Sequence, residues 1–348
     1  MPKKIYLGDS PISTSILSRH IRTSWRLFAK SPLKFPEFTA SIRFFAQKEA
    51  DELAELVRRK NPFARQGGNW NFYFQRIQGL GNQTVVEIFR RGHPDAIAPS
   101  VDRLSNVIET IVLLSSCISM SRTQFQKHLG ITSHRRRGFD VTIGPNFYTL
   151  RSKAKPERPA SGLPIDTSFS NRFERLGFRA LIQYCLSDSD LPQRVSSTLY
   201  WLLESRQEPA LSAAIVKTAI ALESLLVFND TEPLARSLSE RCAFLLSPEP
   251  STRSLVSRLV RDFYDSRSGV VHGSRRKSES ISTNVLEAID RLTLFLCLIL
   301  ASNQGKWNSK DSLREWCEQQ KWDGPDRTVK IPFSKRYCHN ALKLAASS

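Results

Sequence analysis

The chain has 348 residues, 40% apolar and 24% charged; it can bury a sizeable core, has room for two domains, and is neither disordered nor fibrous in composition. Its formal charge is +18 and is unevenly placed: residues 1–194 carry 30 Lys+Arg against 16 Asp+Glu, residues 195–305 carry 12 against 12, and residues 306–348 carry 9 against 5. A field of that sign attracts polyanions, nucleic acid first among them inside a cell. A basic surface that serves solubility alone is the plain alternative. No basic amphipathic helix with a bulky apolar face points to a membrane surface. Six cysteines (117, 185, 242, 297, 317 and 338) are scattered singly, with no Cys-x-x-Cys and no secretory leader. The reading is a reduced cytoplasmic protein with free thiols. Cys317, Cys338 and His339 do not match a zinc spacing, so no metal and no cofactor are expected. The longest apolar run, Leu292 to Ala301, is far short of the ~20 residues that a bilayer span needs, and reads as a core helix.

Residues 1–155 read as mixed α and β. Phe38, Ala40, Ile42 and Phe44 alternate with polar residues, the period of a half-buried strand. Gln47 to Lys60 follows as a helix, acidic early and basic late, and Asn61-Pro62 stops it. Asn71 to Ile77 and Thr84 to Arg90 flank Gly79-Leu80-Gly81-Asn82 as a hairpin; no Gly-Lys-Ser/Thr follows these glycines, so they form no phosphate loop. A long helix begins at Ser100, burying Val107, Ile108, Ile111, Val112 and Leu114. Phe139 to Ile143 and Phe147 to Arg151 read as two more strands, joined at Gly144-Pro145-Asn146.

The densest basic stretch lies around those strands, with nine Lys/Arg between Arg122 and Arg158 against two acids. Arg135, Arg136, Arg137, Arg151, Lys153 and Lys155 are the candidate nucleic-acid-binding residues. Phe139, Phe147 and Tyr148 are interleaved with them, and such rings stack on unpaired bases while cations hold phosphates. The same pattern also fits a solvated loop with its aromatics in the core. His128 and His134 lie beside this run and read as surface histidines.

Lys155 to Pro164, with three prolines and a glycine, reads as a linker. Thr167 to Leu186 is predicted as one helix. From Val195 onward the pattern is almost wholly helical. Leu211, Ala214, Ile215, Thr218, Ala219, Leu222, Leu225 and Leu226 share one face, with Glu223 beside it as a natural partner for Arg267 or Arg241. Val285 to Ala301 closes the bundle. Beyond Gly305 a basic tail carries Trp307, Trp316 and Trp322.

The stretch from Ser254 to Gly273 is the one that calls for chemistry. Leu255/Val256, Leu259/Val260 and Phe263/Tyr264 recur every four residues, and the next turn of that stripe brings Arg267 instead of another apolar residue. A guanidinium is thus aimed at a face that should meet protein, where an unpaired charge is costly. His272 follows, then Gly273, a residue type that ends helices. At about 100° per residue, Arg267 and His272 lie roughly 140° apart around an ideal helix. Either a loosened turn at Gly269 or a groove walled by two copies of this helix would bring them to one substrate.

Arg267-Ser268-Gly269-Val270-Val271-His272 fits the R-x4-6-H signature of HEPN domains, and Phe263 to Gly273 resembles the YdxRSxxvHG helix of the Apea-like HEPN group. Ala219 to Leu225 resembles that group's ALExL helix, and Ser239 to Leu246 its xERxAxLL helix. The resemblance covers about a third of the chain, from Val195 to Ala301. It implies a metal-independent endoribonuclease that acts as a homodimer through the bundle, of a kind that serves in antiphage defence by cutting cellular RNA, with a phage-derived trigger. On that footing Arg267 stabilises phosphate charge and His272 moves the proton, supported by Ser268, Tyr264 and Glu223. Ser268 stands where many members carry a stronger polar residue. The expected organisation is a basic α+β domain at 1–160 that recognises nucleic acid or a trigger, a HEPN-like helical bundle at 165–305, and a basic tail at 306–348. The reading from another class is a non-catalytic dimer that binds nucleic acid or a nucleotide.

Overall fold

A computed structural model of the chain describes residues 12–15, 21–23, 33–34, 38–45, 47–60, 83–90, 94–129, 139–143, 148–152, 163–165, 167–229, 231–271, 282–322, 324–326 and 328–347. The chain forms two compact units, one of residues 1–109 and 127–171, the other of residues 110–126 and 172–348.

In the first unit helix α1 (Gln47–Lys60) has the span that the sequence predicts and buries Ala50 and Ala54. Helix α2 (Pro94–Ser116), whose residues from Thr110 on belong to the second unit, starts before Ser100, because proline suits the first helical position, where its missing N–H costs nothing. The backbone also forms short ladders: Phe38–Phe45 pairs antiparallel with Gln83–Arg90, which pairs with Ile12–Ser15, which in turn pairs with Phe139–Ile143. The expectation of an N-terminal α+β domain is nevertheless corrected. None of the residues whose side chains are described lies in a strand, and the described elements that carry a core are all helices. An α+β domain requires a sheet face packed under helices; period-two alternation supplies half of that, and no such layer exists among the described residues. The hairpin partner at Asn71 to Ile77 and most of the linker fall outside those residues.

The second unit is a helical body. Ser121 opens helix α3 (Arg122–Leu129) with a reciprocal cap: the Ser121 N–H donates to Gln124 Oε1 at 3.0 Å and the Gln124 N–H to Ser121 Oγ at 3.2 Å. The single helix expected from Thr167 to Leu186 is two, α4 (Thr167–Arg175) and α5 (Phe178–Cys185), split where Gly177 takes a left-handed φ of 82°. Phe173 and Phe178 stack across the break with centroids 5.0 Å apart, so the kink keeps both rings in the core.

Four helices then wrap a fifth: α6 (Asp190–Gln207), α7 (Leu211–Leu226), α8 (Leu234–Leu246) and α9 (Pro250–Val271) around α10 (Thr283–Ser302). Helix α10 is apolar on nearly every face and is buried from Leu286 to Ala301 apart from the half-buried Arg291, as an all-round hydrophobic helix must be. On α7 the predicted face is buried from Ala214 to Leu226, with Leu211 at its edge. On α9 the stripe is narrower than predicted: Val256, Val260, Phe263 and Tyr264 are buried, while Leu255 is 47% exposed. Fully burying a side chain such as Phe263 contributes about 1.5–3 kcal/mol.

The residues beyond Gly305 pack on this body. Helices α11 (Lys310–Gln319) and α12 (Lys335–Ala346) lie against α8 and α10 respectively. Trp307 and Trp316 are buried edge to face, and Phe333 covers Phe295 at 4.5 Å. The Asn303 side chain bonds both backbone groups of Lys330 at 2.8 Å, tying the end of α10 to this segment.

Candidate functional site

Two rungs join α7 to α9. On the first, the Tyr264 hydroxyl donates to the Ala219 carbonyl at 3.2 Å. One turn on, Arg267 Nη2 lies 3.4 Å from Glu223 Oε1. The spacings fit, because residues three or four apart share a helix face: 264 and 267 on α9, 219 and 223 on α7. Arg267 therefore occupies the last turn of the stripe that buries Val256, Val260 and Phe263, and Glu223 is the carboxylate it meets. Of the two partners open to Glu223 in the sequence, the structure selects Arg267.

The ion pair is loose. Charge-assisted N–H···O bonds are usually about 2.7–2.9 Å long. At 3.4 Å this one makes no hydrogen bond, and both Glu223 Oε1 and Arg267 Nε are shielded from solvent without a hydrogen-bond partner. The two side chains retain 23% and 27% of their exposure respectively, so the pair can be reached from solvent. Burial, and then the Glu223 carboxylate, push the Tyr264 phenol well above its ordinary value, so it remains a neutral donor.

Ser268 is half-buried on the next position of α9, and Gly269 is buried within it. Helix α9 continues through Gly269 to Val271, so the loosened turn that would swing His272 towards Arg267 is absent up to that residue. His272 itself lies outside the described residues, as do Arg135, Arg136, Arg137, Lys153 and Lys155; of Arg151 only the backbone is described. The structure thus brings together Arg267, Glu223 and Tyr264, with Ser268 adjacent in sequence.

The other segments of the resemblance hold the bundle together. Arg241 grips both Glu232 oxygens at 2.6 and 2.7 Å, donates to the Leu226 carbonyl at 2.6 Å, and lies over the Phe228 ring. Burial alone would raise Glu232, but the Arg241 hydrogen bonds win and hold its carboxyl below the ordinary value. Glu240 pairs outward with Arg236 at 2.9 Å and Lys321 at 3.2 Å.

Sequence reasoning missed a second polar centre. Asp290, 2% exposed in the middle of α10, accepts from Thr218 Oγ1 at 2.8 Å. It faces Arg206 Nη1 at 3.5 Å and Arg122 Nη1 at 3.6 Å. Arg206 donates to the Met120 carbonyl at 3.2 Å, and Arg122 to the carbonyls of Ser205 and Glu208. The Arg122 N–H donates to Glu287 Oε1 at 2.6 Å, a carboxylate placed at the positive end of α3. The signal in the sequence was faint: Glu287, Asp290 and Arg291 are three charges in a helix that is otherwise mostly apolar. The cluster is architectural: it pins residues 110–126 to the bundle.

A cavity of about 320 Å³ lies between the first turn of α9 and α12, and neither Arg267, Glu223 nor Tyr264 lines it. The six cysteines are free and buried. Among the described residues no helix is long and apolar enough to cross a membrane, and no group of three or more His, Cys, Asp or Glu side chains is arranged to hold a metal. Comparison with protein-family models, curated proteins and solved structures gives no match for this chain.

Proposed function

We propose that the chain is an endoribonuclease of HEPN type, acting as a homodimer on cellular RNA without a metal, in an antiphage role answering to a phage-derived trigger. The observation that carries the reading is Arg267: a guanidinium on the packing face of α9, open to solvent, loosely held, with Nε lacking an acceptor. The resemblance of residues 263–273 to the HEPN helix adds His272, which directly follows the exposed Val271. Helix α9 stays helical through Gly269 to Val271, without a loosened turn at Gly269, which supports the reading of a groove shared by two copies.

In that groove the RNA 2′-oxygen attacks the adjacent phosphorus as His272 takes its proton; the bond from phosphorus to the 5′-oxygen breaks, and that oxygen is protonated. A 2′,3′-cyclic phosphate and a 5′-hydroxyl result. Histidine suits the proton transfers because its ordinary pKa lies near neutrality. Arg267 suits the phosphorane-like charge because its fork is planar and always charged. The basic residues 135–137, 151, 153 and 155 would hold the RNA strand.

The second reading, a non-catalytic dimer that binds nucleic acid or a nucleotide, is favoured by one observation: Arg267 already has an intramolecular partner in Glu223. Incubating the purified chain with total cellular RNA in EDTA separates the two. Wild type is expected to cut, and Arg267→Ala and His272→Ala are expected not to. Cleavage that survives both substitutions, or that needs added metal, rejects the nuclease assignment. A His272→Ala chain that expresses well beside a toxic wild type would support it.

A further inference from the structure

Two Arg–Glu pairs stand in the same bundle and differ in kind. Arg241 and Glu232 meet through two bonds of 2.6 and 2.7 Å, with side chains 6% and 11% exposed, and Arg241 adds a backbone carbonyl and a ring. That pair is locked. Arg267 and Glu223 meet at one point, 3.4 Å apart, each with a shielded atom that has no hydrogen-bond partner, and both remain reachable from solvent. This pair is open. Arg241 is committed elsewhere, and the Tyr264 hydroxyl, which donates to the Ala219 carbonyl and faces the Glu223 carboxylate, brings no charge to replace Arg267.

Resting on the phosphodiester-cleaving reading above, we infer that Glu223 belongs to the phosphate site: it orients the Arg267 guanidinium before substrate arrives and yields it to a phosphodiester, whose two non-bridging oxygens fit the planar fork better than the single contact of Glu223 does. Two anions then compete for one cation. A guanidinium engages a phosphate through parallel N–H groups, and Arg267 Nε, without an acceptor but shielded where it stands, becomes one of them once the side chain leaves Glu223. Glu223 is thus a positioning residue that also sets a threshold: a weakly held anion does not displace it, whereas an RNA strand anchored at other phosphates does. The pairing keeps the cation aimed while discouraging adventitious small anions.

The test uses the full chain and a 2′-O-methyl RNA oligonucleotide, which lacks the attacking hydroxyl and so reports binding alone. Wild type, Glu223→Gln, Arg267→Ala and the double variant are compared by fluorescence anisotropy. Glu223→Gln is expected to bind at least about fivefold tighter, the lower end of coupling between groups that share a site. The gain is expected to vanish in the Arg267→Ala background, as in a double-mutant cycle on one contact. Unchanged or weaker binding by Glu223→Gln overturns the inference. So does a gain that survives without Arg267, which would mark a long-range charge effect. Should Glu223→Gln fail to fold, the Arg267 Nε–H resonance of the wild type is followed while inorganic phosphate and then the oligonucleotide are added. A shift with the oligonucleotide at lower concentration than with phosphate is expected; indifference to both overturns the proposal. Cleavage of unmodified RNA is scored separately, so a chain that binds by this exchange but never cuts refutes the nuclease reading and leaves the exchange standing.

Discussion

Arg206 and Asp290 face each other at 3.5 Å inside the bundle, with side chains 0% and 2% exposed. Desolvation on this scale outweighs much of the attraction between two charges, and the arrangement holds because Thr218 and Arg122 share the carboxylate. Removing one partner strands the other. Asp290→Leu or Arg206→Met alone is expected to destabilise the chain by about 3–5 kcal/mol. In the Arg206→Met/Asp290→Leu double variant the loss should fall short of the summed singles by about 0.5–3 kcal/mol. Urea unfolding of the four chains checks this, and strict additivity would refute the pairing.

Gly177 separates α4 from α5 at a φ of 82°, a conformation that costs other L-residues about 1–2 kcal/mol. A Cβ placed there would meet Ser302 Oγ at 3.6 Å and Pro332 Cβ at 3.7 Å, which are ordinary contacts. The cost of Gly177→Ala is therefore backbone strain and not a clash. The expected destabilisation is about 1–2 kcal/mol, read from the thermal midpoint, and a neutral substitution would contradict the turn.

Glu232 has its carboxyl held below the ordinary value by Arg241. A carboxylate depressed in the folded state stabilises that state above its unfolded pKa and loses the contribution as pH falls through the folded value. Stability should therefore decline as acid is added below about 4.5, the ordinary glutamate value, and Glu232→Gln should lack that part of the decline. Unfolding curves taken between neutrality and acid would show it as a shallower acid limb in the variant.

Burial pushes the thiols of Cys317 and Cys338 up, to about 12 and about 11, and raises those of Cys117, Cys242 and Cys297 as well. The thiolate is the reactive form, and these side chains are also shielded from solvent. Iodoacetamide at mildly alkaline pH should leave the native chain almost unlabelled and modify all six cysteines in denaturant. Mass spectrometry after a short exposure reads the outcome, and rapid native labelling of Cys242 or Cys297 would contradict the packing.

Periodicity made the bundle legible. The burial of Ala214 to Leu226 on α7 and the core position of Leu292 to Ala301 could both be read from spacing alone. So could the need of Glu223 for a cation, Arg267 or Arg241, since a carboxylate beside an apolar stripe needs one; the choice of Arg267 came from the packing. What spacing could not show was how segments distant in sequence meet. Arg122, Arg206 and Asp290 each read as an unexceptional charge on its own helix, and their convergence depends on the packing of three elements. The N-terminal misreading has a related cause. Alternation such as Phe38-Thr39-Ala40-Ser41-Ile42 describes one strand's two faces, and it does not say whether a layer of helices covers one of them. The break at Gly177 was legible in principle, but one glycine within a helical pattern is tolerated often enough that it did not outweigh the pattern.

The ring of Phe333 resting on Phe295 has a consequence for anyone dissecting the chain. A fragment ending at Gly305 would match the span of the family resemblance, yet it would strip the cover from α10 and leave Asn303 without the Lys330 backbone it binds. Such a piece would present a bare greasy strip to its neighbours and clump, and its silence in an assay would say nothing about Arg267. The smallest unit worth purifying therefore reaches past residue 342, where Leu342 and Ala341 complete the contact.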